Sequence, residues 1–142
     1  STSKTWSQML DCEMITFKAG IRWGCQLIMT AHIAAPNVIG SDIPSTMSSV
    51  ILKDKLRNEL GYQNIIITDA MEMGAITQQY SNADAAVGCI QAGVDIVLGP
   101  QNFVEAFDAV VAAVRNGTLT EERINQSVRR ILKLKMTQRG RF

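Results

Sequence analysis

A chain of 142 residues, 46% hydrophobic and 19% charged, fits one ordinary globular domain and excludes a disordered or fibrous polymer. Its formal net charge of +1 supplies no field to draw in nucleic acid or an anionic membrane, and the cationic residues are dispersed until the tail Arg139-Gly140-Arg141. No apolar stretch approaches the ~20 residues that crossing a bilayer takes.

The chain starts Ser1-Thr2-Ser3, with neither an initiator Met nor a signal-like segment, which leaves the targeting of the parent protein open. Over residues 7–24, Met9, Leu10, Met14, Phe17 and Ile21 recur at helical spacing, and Gly24 is placed to stop that helix. Residues 26–31 read as a strand, apolar on both faces as a doubly covered sheet requires. The following stretch, 32–44, is polar, contains prolines and is too long for an ordinary connector, which marks it as a candidate functional loop.

Ser45 is placed to cap a helix running to Leu60, with Val50, Ile51, Leu56 and Leu60 as its stripe and Gly61 as its stop. A second strand, Ile65-Ile66-Ile67, follows at once. Residues 71–77 read as a loop or short helix, 84–93 as a helix, and 95–98 as a third strand ending at Gly99-Pro100. Two helices, 102–115 and 120–136, close the chain, the second with a capping box at Thr120 if Glu122 or a neighbour reaches back. Cys12, Cys25 and Cys89 are odd in number, widely spaced and without a Cys-x-x-Cys pair, which favours idle thiols over a disulfide framework or a zinc site.

Helix and strand alternate throughout, implying parallel strands joined by right-handed crossovers. Three such units leave two unpaired edges, whereas eight close a barrel of ~250 residues. The expected fold is therefore α/β: a partial TIM (β/α)8 barrel, roughly its last three β/α units plus the closing C-terminal helices.

In such barrels chemistry sits at the C-terminal ends of the strands, where this chain places 30–32, Thr68-Asp69 and Gly99-Pro100. Asp69 is the strongest nucleophile or acid-base candidate, because the strand before it is wholly apolar and its carboxylate projects into the mouth. An Asp after a strand equally serves to cap the next helix. His32 is the sole histidine, and a lone histidine at a strand end is more often a hydrogen-bonded structural residue than a ligand or base. No second His, Cys or carboxylate stands beside it at metal-ligand spacing, so no metal is expected. Met71 and Met73 read by default as core filler, and no phosphate-binding glycine loop occurs.

Four segments in order, 27–33 (Leu-Ile-Met-Thr-Ala-His-Ile), 44–48 (Pro-Ser-Thr-Met-Ser), 56–62 (Leu-Arg-Asn-Glu-Leu-Gly-Tyr) and 67–76 (Ile-Thr-Asp-Ala-Met-Glu-Met-Gly-Ala-Ile), carry a resemblance. Together with 92–98 and 122–135 they closely resemble glycoside hydrolase family three, in its β-N-acetylglucosaminidase branch. The resemblance implies that Asp69 attacks the anomeric carbon to form a glycosyl-enzyme intermediate. It suggests the branch through Ala70-Met71-Glu72-Met73, where the glucosidase branch usually has an aromatic residue next to the nucleophile. It also implies that Met73 and His32 contact the sugar or its acetamido group, that the substrates are glycans containing N-acetylglucosamine, such as peptidoglycan fragments or chitooligosaccharides, and that no cofactor is needed.

By the same resemblance the proton donor is a His supported by an Asp which, with a Lys-His sugar-binding motif, belongs to earlier loops of the barrel. Residues 1–142 are then expected to be the C-terminal portion of one catalytic barrel, starting inside or just past that loop and inactive alone. A second expectation is a non-catalytic half-barrel that forms a homo-oligomer or pairs with a complementary N-terminal half. Topology alone would also permit an unrelated small α/β binding domain.

Overall fold

The computed structural model describes residues 1–139; the end of the basic tail lies outside the described residues. Leu27–Met29 (β1) and Ile65–Ile67 (β2) pair in parallel, with Leu27 opposite Ile65 and Met29 opposite Ile67. Beyond β2 the expected third strand is reduced to a single parallel bridge, Ile67 to Ile96. Ile96 N–H donates to Ile66 O at 3.1 Å and Thr68 N–H to Ile96 O at 3.0 Å. The ladder stops at Leu98, whose N–H turns to the Thr68 hydroxyl at 2.9 Å instead of a backbone carbonyl.

The expected single helix over 7–24 is two helices, Trp6–Leu10 (α1) and Glu13–Arg22 (α2). Cys12, at φ −135° and ψ −85°, leaves the helical region between them, while Thr5 and Gln8 form a capping box on α1. The loop over 32–44 contains an unexpected short helix, Pro36–Ile39 (α3). Pro36 opens it, and Gly40, at φ 80°, ends it in a conformation that a Cβ disfavours.

Residues 45–60 do not form one α-helix. A 3-10 turn, Ser45–Met47, precedes a π-helix, Val50–Glu59, closed by the bond from Leu60 N–H to Lys55 O five residues back. Ser45 is not its cap, because the Ser45 hydroxyl donates to Ile33 O at 2.6 Å and ties this segment to the end of β1. Gly74–Thr77 (α4), Asn82–Ala92 (α5), Phe103–Arg115 (α6) and Glu121–Arg139 (α7) complete the chain. α5 begins sooner than expected because the Ser81 hydroxyl accepts from Asp84 N–H. Thr120 accepts from Arg123 N–H at the start of α7, but Glu122 does not reach back and instead pairs with Arg129 at 2.8 Å.

The core gathers Ile28, Leu52, Tyr62, Ile66, Ile76 and Val94 between the sheet, the π-helix and α5. Tyr62 is buried at no cost in unpaired groups, since its hydroxyl donates to Ile65 O at 2.9 Å. Side chains alternate along a strand, so Leu27 and Met29 face away from Ile28; they are 45% and 50% exposed. Only one face of β1 is therefore covered among the described residues. α1 and α2 bury nothing either, and Met9, Met14 and Phe17 line an apolar cleft of about 320 Å³ against Met29, Leu52 and Leu56.

One buried charge cluster ties these elements together. The Asp95 side chain is 0% exposed and accepts from Arg57 Nη2 at 2.7 Å, Arg130 Nη1 at 3.0 Å, the Ser127 hydroxyl at 2.6 Å and Ile66 N–H at 3.0 Å. Arg123 Nη1 stands 3.9 Å from the same carboxylate and donates to Ser127. Burial pushes the Arg57 and Arg123 guanidinium groups below their ordinary range, and the Asp95 charge opposes that shift.

Candidate active site

β2 delivers Asp69 to its position through Thr68, which is fully buried and fastened on both sides. Its N–H donates to Ile96 O and its hydroxyl accepts from Leu98 N–H, so the backbone is fixed one residue before the carboxylate. On the far side of Asp69, Met71 N–H donates to Leu98 O at 2.9 Å and the Met71 side chain packs into the core. Asp69 is thus held between two anchors on the segment that follows α5.

The half-buried Asp69 carboxylate accepts one hydrogen bond, from Ala70 N–H to Oδ1 at 2.8 Å. Among the described residues Oδ2 has no partner, and it is open to solvent, because no buried side-chain oxygen lacks a hydrogen bond. Nor does any described Lys, Arg or His form an ion pair with it. It does not cap the next helix: the cap position of α4 is Met73, with no side-chain bond. A carboxylate with one oxygen fixed and the other free is suited to attack an electrophilic carbon.

The other two residues singled out from the sequence meet at the next residue, Ala70. His32, three positions past β1, places Nε2 at 3.1 Å from Ala70 O. A carbonyl only accepts, so Nε2 carries the hydrogen. Met73 N–H donates to the same oxygen at 3.2 Å, and Met73 is 44% exposed. His32 Nδ1 faces the Thr46 hydroxyl at 3.0 Å, so both ring nitrogens are engaged within the protein. Thr46 in turn touches the Thr30 hydroxyl at 2.8 Å and Ala31 O at 3.0 Å.

Thr46 was not singled out from the sequence as a site residue, although it lies in the segment 44–48, whereas Thr30 was marked by its place in the strand-end stretch 30–32. A threonine predicted to sit deep in a helix start, within reach of a strand-end histidine, was the available signal. The Asp95 cluster was equally missed, although Arg123, Ser127 and Arg130 share one face of a helix at i, i+4 and i+7.

The sequence pattern described as "Glycosyl hydrolase family 3 N terminal domain" matches residues 1–134. Beta-hexosaminidase A of Pseudoalteromonas piscicida is 34% identical over 128 residues, covering 77% of this chain and 21% of that protein. The "Beta-N-acetylglucosaminidase/beta-glucosidase" of Cellulomonas fimi is 31% identical over 130 residues, covering 85% of this chain and 23% of its own length. Among solved structures, a glycoside hydrolase family 3 beta-N-acetylglucosaminidase from Paenibacillus sp. superposes with a TM-score of 0.92 at 36% identity, over 95% of this chain and 26% of that one. The chain spans about a fifth to a quarter of the length of these relatives. Match, identity and superposition agree, and the chain belongs to glycosyl hydrolase family 3, in its N-terminal domain.

Proposed function

We propose that the chain is the nucleophile-bearing part of a (β/α)8 barrel and that the whole protein is a retaining β-N-acetylhexosaminidase. The observation that carries the reading is Asp69: a strand-end carboxylate with Oδ1 held by Ala70 N–H and Oδ2 unpaired and accessible. Retention takes a carboxylate that attacks the anomeric carbon on one face and a proton donor beside the leaving oxygen. Oδ2 forms the bond to that carbon as the glycosidic bond breaks and the leaving oxygen takes the donor's proton. Water, deprotonated by the same group, then releases the sugar and regenerates the carboxylate.

The donor belongs to the remaining barrel units, as does the rest of the sugar pocket. His32 is not placed to fill that role, with both nitrogens already engaged. Met73, exposed beside Asp69, contributes an apolar contact to the sugar or its acetamido group. The open face with Leu27 and Met29 is covered by those same units, in one polypeptide or as a complementary N-terminal half; a second copy of this chain is the competing partner.

A dinitrophenyl β-N-acetylglucosaminide, whose leaving group needs no proton, tests both parts. The longest natural polypeptide containing this segment should turn it over, and a 5-fluoro glycosyl fluoride should leave a covalent adduct on Asp69 that mass spectrometry locates. The chain alone should be slower by about 100-fold or more, because it lacks most of the pocket that holds the sugar in reacting geometry. An adduct on another residue, or full turnover by the chain alone, overturns the proposal.

A further inference from the structure

The structure assigns His32 a positioning role: it sets the Asp69 nucleophile through the Ala70 carbonyl and does not hydrogen-bond the sugar. This inference rests on the reading of Asp69 as nucleophile. Besides the packing of Met71 into the core, hydrogen bonds of three kinds hold the segment 69–73. The turn from Met73 N–H to Ala70 O is local to the segment, and Met71 N–H to Leu98 O ties it to the chain beyond β2. Among the described residues, the hydrogen bond that reaches it from the β1 side is the one from His32 Nε2–H to Ala70 O. The residue that donates its N–H to Asp69 Oδ1 is therefore the same residue that His32 grips by its carbonyl.

The ring that makes this bond is itself fixed. Thr46, fully buried, meets Nδ1 with a hydroxyl that also touches Thr30 Oγ1 and Ala31 O, and Ser45 holds the same segment to Ile33 O. A chain of side chains thus runs from the end of β1 through Thr46 and His32 to the carbonyl of Ala70, the residue after Asp69. A sugar hydroxyl could reach a ring nitrogen only by displacing one of these partners, exchanging a bond the protein already makes for a new one. Misplacing a reacting atom by about 1 Å costs up to ~100-fold in rate, and that is the scale on which a loosened Ala70 peptide acts.

The test uses the longest natural polypeptide containing this segment, with the dinitrophenyl N-acetylglucosaminide as substrate. His32→Ala should lower kcat by about 10- to 100-fold while KM stays within about threefold, the pattern of an interaction that matters in the transition state. His32→Gln, whose side-chain amide can still donate to Ala70 O, should recover most of kcat. Thr46→Val, at a position no sugar reaches, should lower kcat in the same way, and Thr46→Ser should restore it. Should His32→Ala fail to fold, the Gln and Thr46 variants carry the comparison. A raised KM with unchanged kcat in His32→Ala would overturn the proposal in favour of a sugar ligand, as would unchanged kinetics in favour of a bystander. Asp69→Asn separates the two readings. If it stays active, the nucleophile assignment fails and this inference with it. If it is dead while His32→Ala and Thr46→Val are normal, only the positioning role is lost.

Discussion

Asp69 follows the end of β2, and Asp95 opens the segment bridged to it, with its carboxylate on the N–H of Ile66. The first carboxylate accepts a single hydrogen bond and has no ionic partner among the described residues; the second is wholly buried under two arginines, a serine and a backbone amide, with a third arginine close by. Both follow the same rule, that a buried charge must be paired, and they satisfy it differently because only Asp95 is fully desolvated. Asp95 is committed to joining β2, the π-helix and α7. Asp69 keeps one carboxylate oxygen without a partner among the described residues, at the strand end where sites form in sheets of this kind.

The sharpest way to break this comparison is to neutralise Asp95. Asp95→Asn leaves Arg57, Arg123 and Arg130 facing one another without their carboxylate, at positions where Arg57 and Arg123 are already strained by desolvation. Losing one partner of a buried ion pair costs about 3–5 kcal/mol, and denaturant unfolding of the chain should show a loss of that order. A loss under roughly 1 kcal/mol would mean that the arginines relax to solvent and that the cluster is not what joins the elements.

A smaller effect is expected at Thr68, next to Asp69. Thr68→Val keeps the shape of a fully buried side chain but takes away the acceptor for Leu98 N–H. Leaving such a donor unsatisfied costs about 1–3 kcal/mol, read in the same unfolding experiment. Amide exchange at Leu98 should quicken with it, since this bond is the one that ends the ladder to the third segment. Unchanged exchange at Leu98 would show that its N–H is held by something other than Thr68.

The two paired strands and several helix ends were legible because they rest on local chemistry. Apolar runs marked β1 and β2, Gly61 marked a helix stop, and the helix expected over 102–115 is α6. What was not legible depends on partners distant in sequence. The break at Cys12 interrupts a helical pattern that reads as continuous, and the π-helix keeps Leu52 and Leu56 on the core side much as an α-helix would. The third strand fails because the Thr68 hydroxyl competes for Leu98 N–H, which apolar periodicity cannot register. In the site, position alone made Asp69 a candidate. The occupancy of both His32 nitrogens, one by a threonine fourteen residues away and one by a carbonyl thirty-eight away, needed coordinates.

The smallest stability effect is expected at Asp69, the proposed nucleophile. Asp69→Asn keeps an acceptor for Ala70 N–H, because the amide oxygen replaces Oδ1, and it removes a charge that no described cation pairs with. Nothing buried is left unsatisfied and no helix cap is lost, since α4 takes no cap from this side chain. Unfolding free energy should therefore stay within about 0.5 kcal/mol of the parent, in the range of surface substitutions remote from special features. A cost above ~1 kcal/mol would instead be the signature of a capping or structural aspartate. Asp69 would then differ from Asp95 in degree only, whereas a silent Asp69→Asn beside a severe Asp95→Asn separates a carboxylate kept for reaction from one consumed by the fold.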